Sequence, residues 1–360
     1  MVVRMGRDGP ADRPGRNDPH RRGRCSGGAP GQGAAMRAFL VLIVLAAAAG
    51  GGWWWWSTRS VQTQAAEPDP AVLLAPPTLG PVEPPAAAKP HLDEGDRLWA
   101  AACADPARAA NAPQIALAYS RALRALYGLP AHEERANRLV ADRLTPLGSA
   151  LFFAKATFPN DPTGTFATYQ VKPGDNPDRI SQVHGMSREL LNRLRGRDPN
   201  DARLQAGQTL TVIRAKDQTE AGREPYFLHI DKSAFRLDLY ICGIFARRYE
   251  ITHGAQESPT PVGATFITQR EWHPQWTHPV SKKVLPYGDP ENILGPIWLR
   301  FDSAGIGKDG IGIHGYTGAD AQLGIMASNG CIRLRNDQAE ELFQTLPSPQ
   351  RAKTTVQIVD

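Results

Sequence analysis

Near the end of the chain, Ala327-Ser328-Asn329-Gly330-Cys331-Ile332-Arg333-Leu334 sets a cysteine behind a glycine and two residues ahead of an arginine. His314, within Gly310-Ile311-Gly312-Ile313-His314-Gly315, lies 17 residues upstream. A cysteine nucleophile must reach its thiolate near neutral pH, although a free thiol titrates at about 8.5. A histidine in hydrogen-bond reach can take that proton and later return it to a leaving group. Gly330 permits a tight turn whose amides could form an oxyanion hole. If the backbone is extended, Cys331 and Arg333 share a face, which puts a cation beside the thiolate or a substrate carboxylate. The alternative stays open on spacing alone: a lone cysteine is commonly a small buried hydrophobe, and a lone histidine a satisfied polar group. Cys242, in an apolar strand pattern, and Cys103, in an alanine-rich helix, are read as core in that way.

The elements that would position this pair are mostly strands. From residue 225 to 360, the run Tyr226–Thr252 alternates apolar and polar residues in two or three stretches, as half-buried β-strands do. Ile311 and Ile313 alternate into His314, so the histidine ends a strand, held firmly yet able to face a cleft. Asn336 reads as the N-cap of a short helix over Asn336–Leu346, with acidic residues in its first turns. Thr354–Asp360 supplies a last strand.

Upstream, residues 168–214 read strand, helix, helix, strand. Tyr169 and Val171 alternate into the turn Pro173-Gly174-Asp175, Ser187 caps a helix bearing Leu190, Leu191 and Leu194, and Thr209–Ile213 closes the unit. Residues 91–158 are helical in pattern, with Ile115, Tyr119, Ala122 and Leu126 at helical spacing behind Pro113, and Pro130 opening a second helix. Residues 57–90, dense in proline and alanine, form a semi-rigid linker that spans roughly 100 Å if it is mostly polyproline II.

The chain of 360 residues, 41% apolar and 21% charged, is long enough for several domains. Its net charge of +5 is carried by residues 1–37, which hold eight arginines against three aspartates. The remainder is close to neutral, so no folded basic stripe and no nucleic-acid partner are expected. Residues 38–56 contain 19 consecutive uncharged residues ending in Trp53–Trp56. This length, about 28 Å as helix, reads as a membrane anchor with an interfacial aromatic belt or as a cleaved signal starting at Met36; the tryptophans favour the anchor. Either way the bulk of the chain is expected outside the cytoplasm. With only four cysteines and no Cys/His cluster at zinc spacing, neither a metal nor a disulfide scaffold is expected.

Two resemblances add to this. Tyr169-Gln170-Val171-Lys172-Pro173-Gly174-Asp175 and Leu204-Gln205-Ala206-Gly207-Gln208-Thr209-Leu210 resemble the opening and closing motifs of the LysM family, which implies binding of peptidoglycan glycan strands. Residues 225–360 are similar to the L,D-transpeptidase catalytic domain (YkuD-like family). The similarity rests on His314-Gly315, on Ser328-Asn329-Gly330-Cys331-Ile332-Arg333, on the Thr260-Pro261-Val262-Gly263 turn and on Asn292-Ile293-Leu294-Gly295. It implies Cys331 as acyl-enzyme nucleophile, His314 as base and acid and the Gly315 carbonyl as orienter of the imidazole, with Ser328, Asn329, Gly330 and Arg333 shaping the site. Many members carry a second histidine where this chain has Asn329, which cannot titrate.

The fold class implied is multidomain α+β: a mainly β catalytic domain preceded by a βααβ LysM domain and a small helical segment. The implied activity is cross-linking of peptidoglycan stem peptides, or linking of a protein amine to them, with no cofactor. Two rivals are an L,D-carboxypeptidase, in which water resolves the thioester, and an inactive wall-binding scaffold.

Overall fold

A computed structural model describes residues 82–104, 111–155, 157–159, 161–218, 222–318 and 322–360. The basic tail, the 38–56 segment and most of the proline-rich linker lie outside the described residues. Among the described residues, no helix is long and apolar enough to cross a membrane.

The centre is a mixed sheet of eight strands. Three arise from the alternating run, β3 (Tyr226–Asp231), β4 (Arg236–Ile241) and β5 (Ile244–Glu250). The others are β7 (Gly263–Trp272), β10 (Ile297–Phe301), β11 (Gly312–His314), β13 (Ile332–Arg333) and β14 (Thr354–Val359). Their spatial order is β13-β11-β10-β7-β14-β3-β4-β5. Only β14–β3 and β11–β13 run parallel. Two short strands, β6 (His253–Gly254) and β12 (Met326–Ser328), pair beside the β13 edge, and Thr252 bridges to Arg333. A small hairpin joins β8 (Trp276–Thr277) to β9 (Val284–Leu285).

Cys242 is fully buried, but it does not sit within a strand. It forms the β4–β5 turn with Gly243, at φ +50° and +78°. Positive φ at both loop residues is what a two-residue hairpin needs to match strand twist. Cys103 is only half-buried, and Cys103, Cys242 and Cys331 are all free thiols.

Among the described residues, four α-helices come before residue 153: α1 (Lys89–Ala104), α2 (Ala112–Leu126), α3 (Glu133–Leu139) and α4 (Thr145–Phe152). Pro113 lies in the first turn of α2, and Ile115, Tyr119, Ala122 and Leu126 are buried. Pro130 opens a short 3-10 turn that runs into α3. Helices α2 and α4 lie on β5, the outer strand. Ser120 accepts the Phe245 amide at 2.8 Å. At Gly148 of α4 an added Cβ would come within 2.4 Å of the Ala246 carbonyl. The helices therefore cover the exposed ladder that an edge strand would otherwise present.

Between helices and sheet, residues 166–213 run β1 (Phe166–Gln170), α5 (Pro177–His184), α6 (Arg188–Leu194) and β2 (Thr209–Ile213), with β1 and β2 antiparallel. Asn176 and Ser187 cap the two helices through their side chains. This unit is fastened to the last helix, α7 (Asn336–Thr345). Arg193 donates to Thr345 Oγ1 at 3.0 Å and Gln344 Oε1 at 2.9 Å, and Arg351 donates to Ser181 Oγ at 3.0 Å. One apolar cluster runs through all three parts, from Ala88 to Ile358.

Candidate active site

Parallel pairing of β11 with β13 sets His314 opposite Arg333 and Ile313 opposite Ile332. Paired residues of parallel strands point to the same face, and alternation puts Cys331 on that face too. The strand pair thus gathers His314, Arg333 and Cys331 on one side, while Ile313 and Ile332 enter the core.

His314 is 2% exposed, and its Nδ1 donates to the Gly315 carbonyl. With Nδ1 as donor, the free lone pair is on Nε2. Burial drives its pKa down to about 4, Arg333 adds to that, and the Gly315 and Leu294 carbonyls oppose it. The imidazole is therefore neutral at pH 7 and able to accept a proton.

Cys331 is partly exposed, and its Sγ meets the Gly310 carbonyl at 3.6 Å rather than hydrogen-bonding to His314. Burial pushes its thiol up, against the Gly312 amide and the positive charges of Arg333 and Lys308. Burial thus favours the uncharged form of both side chains at pH 7.

Gly330 has φ +108°, and a Cβ there would stand 2.9 Å from both Ile311 Cδ1 and Lys308 Nζ. Its amide donates to Ser328 Oγ at 3.1 Å, and that hydroxyl donates to the Cys331 carbonyl at 2.6 Å. The Gly330 amide is thus engaged within the loop. Arg333 donates to the Ala327 carbonyl at 3.2 Å and lies over the Tyr316 ring at 4.1 Å. Asn329 is exposed, and its backbone carbonyl accepts from Lys308 at 3.5 Å.

Two residues that the sequence marks for other reasons also brace the site. Thr260 Oγ1 accepts the Gly254 amide at 2.9 Å and donates to the Gly330 carbonyl at 2.8 Å, so the Thr-Pro turn holds the Cys331 loop from behind. Asn336 is not the N-cap. Arg335 occupies that position, and Asn336 Oδ1 accepts the Tyr316 amide at 2.8 Å. An asparagine ahead of an acidic helical turn looks like a cap; the nearby His314 loop offers its side chain a different donor.

A putative L,D-transpeptidase YkuD from Bacillus subtilis is 29% identical over 184 residues, covering 51% of this chain and 96% of that protein. A solved L,D-transpeptidase (Yku) from Stackebrandtia nassauensis aligns with TM-score 0.29 and 20% identity, over 40% of this chain and 60% of that one. Residues 225–358 match the L,D-transpeptidase catalytic domain, YkuD. A putative L,D-transpeptidase YqjB, also from Bacillus subtilis, is 33% identical over 132 residues, 37% of this chain and 72% of that protein. The chain belongs to the YkuD L,D-transpeptidase family.

In this family member, the Asn292–Gly295 segment packs under the histidine loop. Asn292 Nδ2 donates to the Pro274 carbonyl at 3.0 Å and the Leu285 carbonyl at 3.1 Å, and the Asn292 carbonyl accepts Thr317 Oγ1 at 2.7 Å. Gly295, at φ +66°, comes so near that a Cβ would lie 2.8 Å from the Tyr316 amide nitrogen. Among the described residues of this YkuD member, no group of His, Cys, Asp and Glu is placed to hold a metal ion.

Burial of neutral histidines sets an acid limit on this L,D-transpeptidase family fold. His229, stacked on Tyr127 at 3.8 Å, is also held near 4 by burial, partly offset by Asp238 and Asp231. An unfolded chain takes up those protons from about pH 6.5, the native state only near 4. Stability is therefore full above about 6.5 and is expected to decline towards pH 4, by on the order of 1 kcal/mol per pH unit for each histidine. Urea midpoints between pH 7.5 and 4.5 measure this, and His229→Gln should make the slope shallower. A flat profile would show that neither histidine is proton-resistant in the fold.

Proposed function

We propose that the chain is a peptidoglycan L,D-transpeptidase acting through a Cys331 acyl-enzyme. His314 Nε2 removes the Sγ proton as sulfur attacks the carbonyl carbon between the third (diamino acid) and fourth (D-Ala) residues of a donor stem peptide. The tetrahedral adduct collapses, the C–N bond breaks, and His314 returns the proton to the departing D-Ala amine. An amine of a second stem, giving a 3→3 cross-link, or of a protein then attacks the thioester and restores the thiol. The observation that carries the reading is the buried, neutral His314, locked through Nδ1 and sharing a face with Cys331 and Arg333.

The proposal extends to residues 168–214 as a LysM domain on the glycan strands, on the motifs at Tyr169 and Leu204 and the βααβ order of the unit. Its fastening to α7 would hold the catalytic face in a set orientation to a bound strand, and tethering raises the local concentration of stem peptides. The envelope, with residues 38–56 as anchor or signal, is the location such a substrate requires.

Purified protein incubated with tetrapeptide stems and analysed by mass spectrometry tests the reading. The expected products are cross-linked dimers and free D-Ala, with an intact-mass acyl adduct that disappears in Cys331→Ala. Tripeptides without cross-links would replace the transferase by a hydrolase using the same thioester. An adduct that survives Cys331→Ala would remove the nucleophile.

A further inference from the structure

Two cations flank Cys331, and the chemistry proposed above uses neither fully. Arg333 is engaged by a carbonyl and an aromatic face on one side. Lys308 approaches from the long turn between β10 and β11. Its Nζ donates to Ser258 Oγ at 3.1 Å and to the Asn329 carbonyl at 3.5 Å. The ammonium also rests against Gly330, where a Cβ would come within 2.9 Å of it. Lys308 therefore rests against the backbone of the residue that precedes Cys331.

Both hydrogen-bond partners of Lys308 are neutral oxygens, and among the described residues it forms no ion pair with a carboxylate. Most other fixed cations of this domain do have one: Arg236 with Asp231, Arg248 with Asp238, Arg247 with Glu341. An ammonium offers three donors, and two are spoken for. A half-buried positive charge held by dipoles and lacking a counter-charge is a ready acceptor of an anion from solution. Its charge also lies close enough to oppose, in small part, the upward push of burial on the Cys331 thiol.

We infer that Lys308 binds the terminal carboxylate of the donor peptide and makes the enzyme selective for donors whose leaving residue ends in a free acid. The inference rests on the proposed acyl transfer. In such a donor, only the nitrogen and α-carbon of the leaving residue separate that carboxylate from the carbon under attack. The Lys308 ammonium is seated against Gly330, the residue next to Cys331, on the side where such a carboxylate would lie. The contact is lost when the leaving amino acid departs, so it favours acylation without retaining the acyl group.

The test compares a tetrapeptide donor with its C-terminal carboxamide, using wild-type protein, Lys308→Met and Lys308→Arg. The readout is the rate of acyl-enzyme formation by intact mass under kcat/KM conditions. Wild type should prefer the acid by about tenfold or more, the scale of one charge-assisted hydrogen bond. Lys308→Met should bring the acid-to-amide ratio to near one, and Lys308→Arg should keep part of it. Loss of thiol activation or a loosened loop would slow both donors alike, so an unchanged ratio in Lys308→Met overturns the assignment. If wild type is acylated by neither donor, the transferase reading fails first and takes this inference with it.

Discussion

Replacing His314 by glutamine is expected to slow acyl-enzyme formation by about 10²- to 10⁴-fold at neutral pH, the usual worth of a positioned general base. The size follows from the resting state of the pair. Burial has driven the imidazole to about 4 and the thiol upward, so no thiolate–imidazolium pair is stored in advance. Without Nε2 the thiol must lose its proton to water as it attacks. The glutamine amide can still donate to the Gly315 carbonyl, which preserves the local hydrogen bond in a buried position. Rates of acylation and of iodoacetamide alkylation, both followed from pH 6 to 10, separate base catalysis from collapse of the site. The deficit should shrink as the pH climbs past the thiol, where Cys331 ionises unaided. Equal rates for variant and wild type at pH 7 would mean that His314 is not the base.

A larger structural effect is expected at Gly315. A Cβ there would meet Asn336 Oδ1 at 2.2 Å and Pro296 Cδ at 2.7 Å. Gly315→Ala must therefore push Asn336 off the Tyr316 amide or move the loop that carries the His314-orienting carbonyl. Overpacking of this kind costs about 1–3 kcal/mol, and a misplacement of the order of 1 Å at a reacting group costs about 10²-fold in rate. Both the melting temperature and acylation should fall. Adding Asn336→Ala removes the closer contact but leaves that with Pro296, so the double variant should recover part of the stability but not the full rate, because the Tyr316 amide has then lost its acceptor. A Gly315→Ala protein that melts and acylates like wild type would show that the loop yields freely.

Legibility in the sequence followed the range of the interactions. Alternation announced β3, β4 and β5, although every residue of β3 and β4 is buried and the polar face, with His229, Asp231, Arg236 and Asp238, is covered rather than solvated. Caps at Ser187 and the turn at Pro173-Gly174-Asp175 are local as well. The gathering of His314 and Cys331 depends on the parallel register of two very short strands, which no periodicity reveals; the motif around them supplied what spacing could not. Asn336 looked like a cap because its neighbours did, and its true partner lies 20 residues away. Cys242 was placed in a strand because an apolar run does not disclose where a two-residue turn interrupts it. Lys308 had no signal at all. Its role comes from a loop folded back on residues 258 and 329, contacts that only the tertiary structure makes.

Helices α2 and α4 seal the β5 margin, with Ser120 satisfying a strand amide and Gly148 allowing near-contact of backbones. The stretch that matches the family begins at residue 225, but the physical body that must be kept whole begins well before it. Cutting at residue 225 would bare an apolar strand able to recruit another chain. The catalytic-domain match and the folded body therefore differ in extent, and any transplant of the chemistry to a new architecture has to bring a substitute for those helices.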